Sequence, residues 1–239
     1  MPVIIPSKID KSSNFVSGTL LLIDKPLEWT SFDIIKKVRN LIKKKLQIKK
    51  IKVGHSGTLD PLATGLLIVC TGKFTKRIEE IQWQEKTYTG QFTLGATTPS
   101  FDKETKVNHT FDTAHITGQL LEEATKQFVG EIKQIPPIFS AIKKDGKRLY
   151  DFARKNEEIK IKDRKVMVHS FEIIDINLPK VSFKISCGKG TYIRSIADDF
   201  GKALNSGAYL SKLCRTKIGR YNLKDAFSLN EVEEKIKLL

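Results

Sequence analysis

Twelve residues, Gly54-His55-Ser56-Gly57-Thr58-Leu59-Asp60-Pro61-Leu62-Ala63-Thr64-Gly65, place one carboxylate, Asp60, in a glycine-bracketed segment with almost no other charge. Gly54, Gly57 and Gly65 allow backbone angles and close approaches that a Cβ would forbid. Pro61 biases Asp60 toward an extended conformation, so the acid sits on a rigid bend rather than inside a helix. A lone acid so placed is suited to act as a nucleophile or base. The same loop also fits a structural turn in which Asp60 caps a nearby amide.

A second constellation is Gly188-Lys189-Gly190-Thr191-Tyr192-Ile193-Arg194, which leads from a strand into a helix. It lacks the Gly-x-x-x-x-Gly-Lys-Ser/Thr spacing of a phosphate loop, which argues against a nucleotide triphosphatase. It offers a helix N-terminus with free amides, one aromatic ring and two cations. Tyr192 and Arg194 are two residues apart and should point in different directions, Tyr192 toward a pocket and Arg194 toward a carboxylate. The alternative is a core tyrosine and a surface cation. A Ser-His-Asp hydrolase built from Ser56, His55 and Asp60 has little support, because adjacent residues rarely present nucleophile and base to each other. Cys70, Cys187, Cys214 and the four histidines make no metal-ligand spacing. Cys187 alternates with Val181, Phe183 and Ile185, which reads as a buried thiol.

The elements that must position these groups are legible in the hydrophobic pattern. Leu20 to Ile23 and Leu66 to Cys70 read as buried strands flanking the glycine-rich segment. Between them, Thr30 or Ser31 can cap a helix with Ile34, Ile35, Val38, Leu41, Ile42 and Leu46 along one stripe. Its other face and the following turn carry Lys36, Lys37, Arg39, Lys43, Lys44, Lys45, Lys49 and Lys50. Tyr88 to Leu94 alternates, with Tyr88, Gly90, Phe92 and Leu94 on one side, as a half-buried antiparallel strand does. Leu120, Leu121, Ala124 and Phe128 mark a helix ended by Gly130. Strands near Val166 to Ile174 and Val181 to Cys187 precede a helix that buries Ile193, Ile196, Ala197 and Phe200. Ser228 with Glu231 forms a capping box for the last helix, with Phe227 and Val232 as its hydrophobic staple. Strand pairs of hairpin type favour an α+β fold with a mixed, largely antiparallel sheet flanked by helices.

The 239 residues carry a net charge of +15, which points to nucleic acid as partner. An anionic membrane is the competing partner, and no apolar run approaches the roughly 18 residues of a spanning helix. Lysines used for solubility alone are the other alternative. The N-terminal stretch from Met1 to Phe15 has no apolar core of signal-peptide type, and the free thiols suit a reducing cytoplasm.

Six segments in order then resemble one family. Gly54 to Gly65 resembles the catalytic motif of the TruB-type tRNA pseudouridine synthases. Leu22 to Pro26 with Thr30-Ser31, Lys86-Thr87-Tyr88, Ile135-Pro136-Pro137 with Ser140-Ala141 and Lys147 to Tyr150, Gly188 to Arg194, and Leu213 to Gly219 follow that family's sequence. The resemblance implies that Asp60 is the nucleophile that helps detach uracil from ribose, so that the ring turns and rejoins through carbon. It implies that Arg194 pairs with this aspartate, and that Tyr88 stacks on the flipped base as a candidate proton acceptor. Tyr192 lines the pocket by the same resemblance, His55 fills the gap left in the RNA loop, and Lys25 and Leu213 match further pocket positions. The implied substrate is the T-loop uridine at position 55 of tRNA. No cofactor, metal or obligatory protein partner is implied, and a cytoplasmic monomer is expected.

The resemblance also implies one catalytic domain over 1–239. Within it, 134–156 forms a thumb whose Phe139, Lys143, Lys144, Arg148 and Tyr150 grip the RNA. Glu28 stands where the family usually has glycine, so a different turn is expected there. Many relatives continue into a C-terminal RNA-binding PUA domain; its expected absence here leaves tRNA holding to the general basic charge. The rival readings are a non-catalytic RNA-binding or tRNA-chaperone module and a guide-RNA-dependent synthase.

Overall fold

The computed structural model describes residues 9–10, 13–140, 142–144, 146–155, 157, 159 and 161–239. Part of the N-terminal stretch, and Ala141, Asp145 and Asn156 of the segment expected to form a thumb, lie outside the described residues. The chain divides into two compact units, Met1–Tyr88 with Cys214–Leu239, and Thr89–Leu213. Strands and helices interleave, and the strands form a mixed, mostly antiparallel sheet flanked by helices, an α+β fold.

In the first unit, the strand Leu20–Lys25 pairs antiparallel with Ala63–Thr71, from Leu20↔Cys70 to Lys25↔Gly65. Both are apolar on both faces, and successive side chains enter different cores. Leu21, Ile23, Leu67 and Val69 pack with Ile34, Ile35, Val38, Val232 and Ile236. Leu20, Leu22, Leu66 and Ile68 pack with Ile81, Ile218 and Tyr221 on the opposite side. Burial on two faces is why these segments read as continuous apolar runs.

The helix Ser31–Leu46 starts where the sequence places it. The Asp33 N–H donates to Thr30 Oγ1 at 3.0 Å, and the Thr30 N–H donates to Asp33 Oδ2 at 3.0 Å. Thr30 is therefore the cap, which leaves the Ser31 hydroxyl for another task. The predicted stripe holds through Ile42, but Leu46 is exposed, since left-handed Gln47 ends the helix one residue later. The last helix, Leu229–Leu238, has the expected box: the Ser228 N–H donates to Glu231 Oε2 at 2.7 Å and the Glu231 N–H to Ser228 Oγ at 3.3 Å. It meets the first helix through a 2.6 Å Lys37–Glu233 ion pair.

The second unit is built on aromatic packing. Phe92 from the strand Lys86–Leu94 stacks on Phe183 with centroids 4.1 Å apart, and Phe171, Phe128 and Phe200 close around them. Phe171 and Phe183 come from the antiparallel strands Arg164–Asn177 and Lys180–Cys187, and Phe200 from the helix Ile193–Ala203. Cys187 is buried, as its alternation implies. Among the described residues, no helix is long and apolar enough to cross a membrane.

Candidate functional site

The residues around Asp60 connect two paired strands of the first unit. Val53–His55 lies antiparallel to Ala63–Thr71, with His55 opposite Val69, so residues 56–62 must turn back within a short span. Gly57 makes that turn with φ 144°, a conformation that favours glycine. The backbone of this loop is held nearly group by group. The Gly57 N–H donates to His55 Nδ1 at 3.3 Å. The Ser31 hydroxyl accepts from the Leu59 N–H at 2.8 Å and donates to the Leu59 carbonyl at 3.0 Å. The Asp60 carbonyl accepts from the Ala63 N–H, and the Pro61 carbonyl from the Glu28 N–H at 2.8 Å. Asp60 itself is half-buried. A side chain on so constrained a backbone loses little freedom on reaction, which is what preorganised catalysis requires.

Two buried cations serve the same loop. Lys25 ends its strand with no exposed surface, and its Nζ donates to the carbonyls of Trp29 (2.6 Å), Pro26 (2.9 Å) and Pro61 (3.4 Å). Burial pushes its pKa down to about 8; Asp60 and Asp24 hold it up against that, and Arg215 pushes it further down. Arg215 is 1% exposed and donates to the carbonyls of Leu66, Gly57 and Thr58 at 2.8, 3.0 and 3.4 Å. His55 is held toward its neutral form, chiefly by burial and then by Arg215, which agrees with Nδ1 accepting a hydrogen bond.

Of the expected site residues, Lys25, His55 and Asp60 thus come together in the first unit. Tyr88, also in this unit, is buried on the strand Lys86–Leu94, below Lys86, whose ammonium donates to the carbonyls of Gln82 and Gln84. Glu28 adopts φ 67°, the left-handed backbone that suits glycine. Glu28→Gly should stabilise the protein by roughly 0.5–1 kcal/mol, read as a higher denaturant midpoint. An unchanged or lower midpoint would show that the glutamate is not strained.

Tyr192 and Arg194 lie in the second unit. Gln134, itself buried, holds Tyr192 by both main-chain groups: the Tyr192 N–H donates to Gln134 Oε1 at 2.8 Å, and Gln134 Nε2 donates to the Tyr192 carbonyl at 3.1 Å. Arg164 covers the Tyr192 ring at 4.8 Å from its centroid. Arg194 is buried, which overturns the surface-cation alternative. Its Cζ lies 5.9 Å from the Tyr192 centroid, so the two side chains do not diverge as their spacing suggests. Its Nη1 donates to the Phe139 carbonyl at 2.9 Å, and its Nε sits 3.6 Å from Asp102 Oδ2. Asp102 in turn accepts from the Ser100 hydroxyl at 2.6 Å. Leu213 is half-buried. Within residues 134–156, Phe139 meets Tyr150 edge-on at 5.9 Å, and the Tyr150 hydroxyl donates to Glu104 at 2.7 Å.

Sequence reasoning missed Arg215, Gln134 and Asp102. Arg215 had a signal: a cation two residues after Leu213 in a motif already singled out, on a strand with buried neighbours. Gln134 and Asp102 had none, because each acts on a group far away in the chain.

A family model for the TruB family pseudouridylate synthase N-terminal domain matches residues 43–193. The protein is 57% identical over 223 residues to tRNA pseudouridine synthase B of Flavobacterium johnsoniae, covering 93% of this chain and 97% of that one. It is 53% identical to tRNA pseudouridine synthase B of Phocaeicola vulgatus, over 92% of this chain and 94% of the relative. Among solved structures, Cbf5 in a Cbf5–Nop10–Gar1 complex is similar at a TM-score of 0.66 and 27% identity, covering 92% of this chain and 54% of Cbf5. This chain thus spans about half of that solved protein. The match over most of the chain and the high identity of full-length relatives have one reading: the chain belongs to the TruB family of pseudouridylate synthases.

Proposed function

We propose that this protein isomerises uridine to pseudouridine in the T-loop of tRNA, at position 55, with Asp60 as the nucleophile. The N1–C1′ bond of the nucleotide breaks and a C5–C1′ bond forms; C5 loses its proton, N1 gains one, and the bond formed by Asp60 on attack is broken again, so no atoms or electrons are gained or lost. A base inside folded RNA cannot reach a protein carboxylate, so the nucleotide is flipped out first. The observation that carries the reading is the loop from Gly57 to Pro61. Its backbone is tied down by Ser31, Lys25, Arg215 and Glu28, which holds Asp60 in a fixed place on the loop. Tyr88, Tyr192, Arg194, His55 and Leu213 serve uridine and RNA binding in this reading. The 1–239 chain acts as one catalytic domain in the cytoplasm, without metal, cofactor or protein partner.

The purified protein, incubated with an unmodified tRNA transcript, should form pseudouridine at one T-loop uridine, mapped by sequencing of the chemically derivatised RNA. Product elsewhere would displace the position. A second reading, a synthase that needs a guide RNA or partner proteins, is favoured by the likeness to Cbf5 in its complexes. No product from the isolated chain on bare tRNA would favour that alternative.

The helix Ser31–Leu46 supplies part of the RNA electrostatics in this reading. A shallow groove runs along it, lined by Trp29, Lys36, Lys37, Lys44 and by the acidic Glu28 and Asp33. Lys36 and Lys44 are exposed. Lys36→Glu with Lys44→Glu should weaken tRNA binding and lower its logarithmic salt slope by about 2, leaving the rate at saturating tRNA unchanged. An unaltered slope would remove this helix from the RNA contact.

A further inference from the structure

Arg215 is a fully buried cation that, like Lys25, is met by main-chain carbonyls. A buried charge is costly unless its donors are met, and the Arg215 fork meets main-chain carbonyls only. Nε reaches Leu66 in the strand that follows the Asp60 loop; Nη2 and Nη1 reach Gly57 and Thr58 at the loop's start. The guanidinium therefore ties the strand after Asp60 to the turn before it.

Gly65 completes the device. It has φ 101°, and a Cβ there would lie 2.5 Å from the Arg215 carbonyl oxygen and 2.8 Å from its nitrogen. Only a bare backbone lets the strand Ala208–Ile218 come close enough for the fork to span both carbonyl sets.

We propose that Arg215 is a positioning residue for the reaction: it sets the backbone at Gly57–Thr58, and through it the carboxylate of Asp60 two residues on. The inference rests on the proposed role of Asp60. A lysine cannot replace it fully, because a point charge on a flexible stem does not hold three carbonyls in a fixed fork.

The test compares Arg215→Lys, Arg215→Met and Asp60→Asn with the parent, by thermal melting, by tRNA affinity and by single-turnover rate on a tRNA transcript. Both Arg215 variants should bind tRNA within about threefold of the parent. Their rates should fall on the order of 10-fold for Lys and 10²-fold or more for Met, the scale of a misplacement near 1 Å. A second readout separates positioning from mere support of the fold. Arg215 is one of the charges that depress the Lys25 ammonium, alongside the opposing Asp60 and Asp24. The alkaline fall of the rate should therefore move to higher pH in Arg215→Met and stay in place in Arg215→Lys.

A folded Met variant with a rate within threefold of the parent overturns the inference. So does a fall in affinity that matches the fall in rate, which would make Arg215 an RNA contact. Failure of both variants to fold also overturns it, in favour of a purely structural arginine. Full activity of Asp60→Asn defeats the nucleophile reading instead, and is distinguishable because it does not depend on the Arg215 variants.

Discussion

Asp60→Asn is expected to lower the single-turnover rate of pseudouridine formation by at least about 10⁴-fold, the scale of losing a nucleophile. tRNA affinity should stay within a few-fold of the parent. The substitution keeps size and shape but removes the anionic oxygen pair. The structure says why the fold should tolerate it: the groups holding the loop, at Gly57, Thr58, Leu59 and Pro61, are main-chain atoms. A change in the Asp60 side chain leaves these hydrogen bonds in place. The related Asp60→Glu keeps the charge but moves it by about one bond length, and should cost about 10²-fold. Asp60→Asn within tenfold of the parent would sink the proposed mechanism. Equal losses of affinity and rate would turn Asp60 into a binding residue.

The second large effect is on pH. Lys25 lies beneath the Asp60 loop, and burial lowers its pKa from 10.5 to about 8, with Asp60 and Asp24 acting against the shift and Arg215 with it. The charged ammonium donates to three carbonyls, one of them Pro61 beside Asp60. As pH rises through about 8 the charge is lost and the loop loses a cation next to Asp60, so the rate should fall. Stability moves the other way. Between about 8 and 10.5 the unfolded chain holds a proton on Lys25 that the folded chain has released, so folding becomes more favourable as pH rises across that window. Falling activity with rising stability is a signature that general alkaline denaturation does not produce. Lys25→Met should abolish that alkaline fall and cost on the order of 3 kcal/mol, since three carbonyls lose their donor. A parent rate that is flat from pH 7 to 9.5 would remove Lys25 from the chemistry.

The legible parts of the molecule were those whose physics is local. Ser228 was readable as a cap, and the first cap was narrowed to Thr30 or Ser31, because a cap and its partner lie three residues apart; the structure picks Thr30. The paired strands around the Asp60 loop were readable from their apolar runs, although each extends beyond the predicted ends, to Lys25 and from Ala63 to Thr71. Burial was the harder question. Leu46 belongs to the apolar stripe and is exposed, because its helix has run past the core. Arg194 looked equally suited to the surface and is buried, because Phe139, Ser100 and Asp102 surround its guanidinium.

The sequence by itself determined the chemistry on offer: one acid in a glycine-bracketed loop, on a basic chain, in the motif order of a single family. Which groups hold that acid was decided by the tertiary structure. Arg215 is 158 residues from Gly57 and 149 from Leu66, and Ser31 is 28 from Leu59. A hydrogen bond depends on distances of about 3 Å and on direction. At such separations along the chain both are set by how strands pack, and residue type alone carries neither.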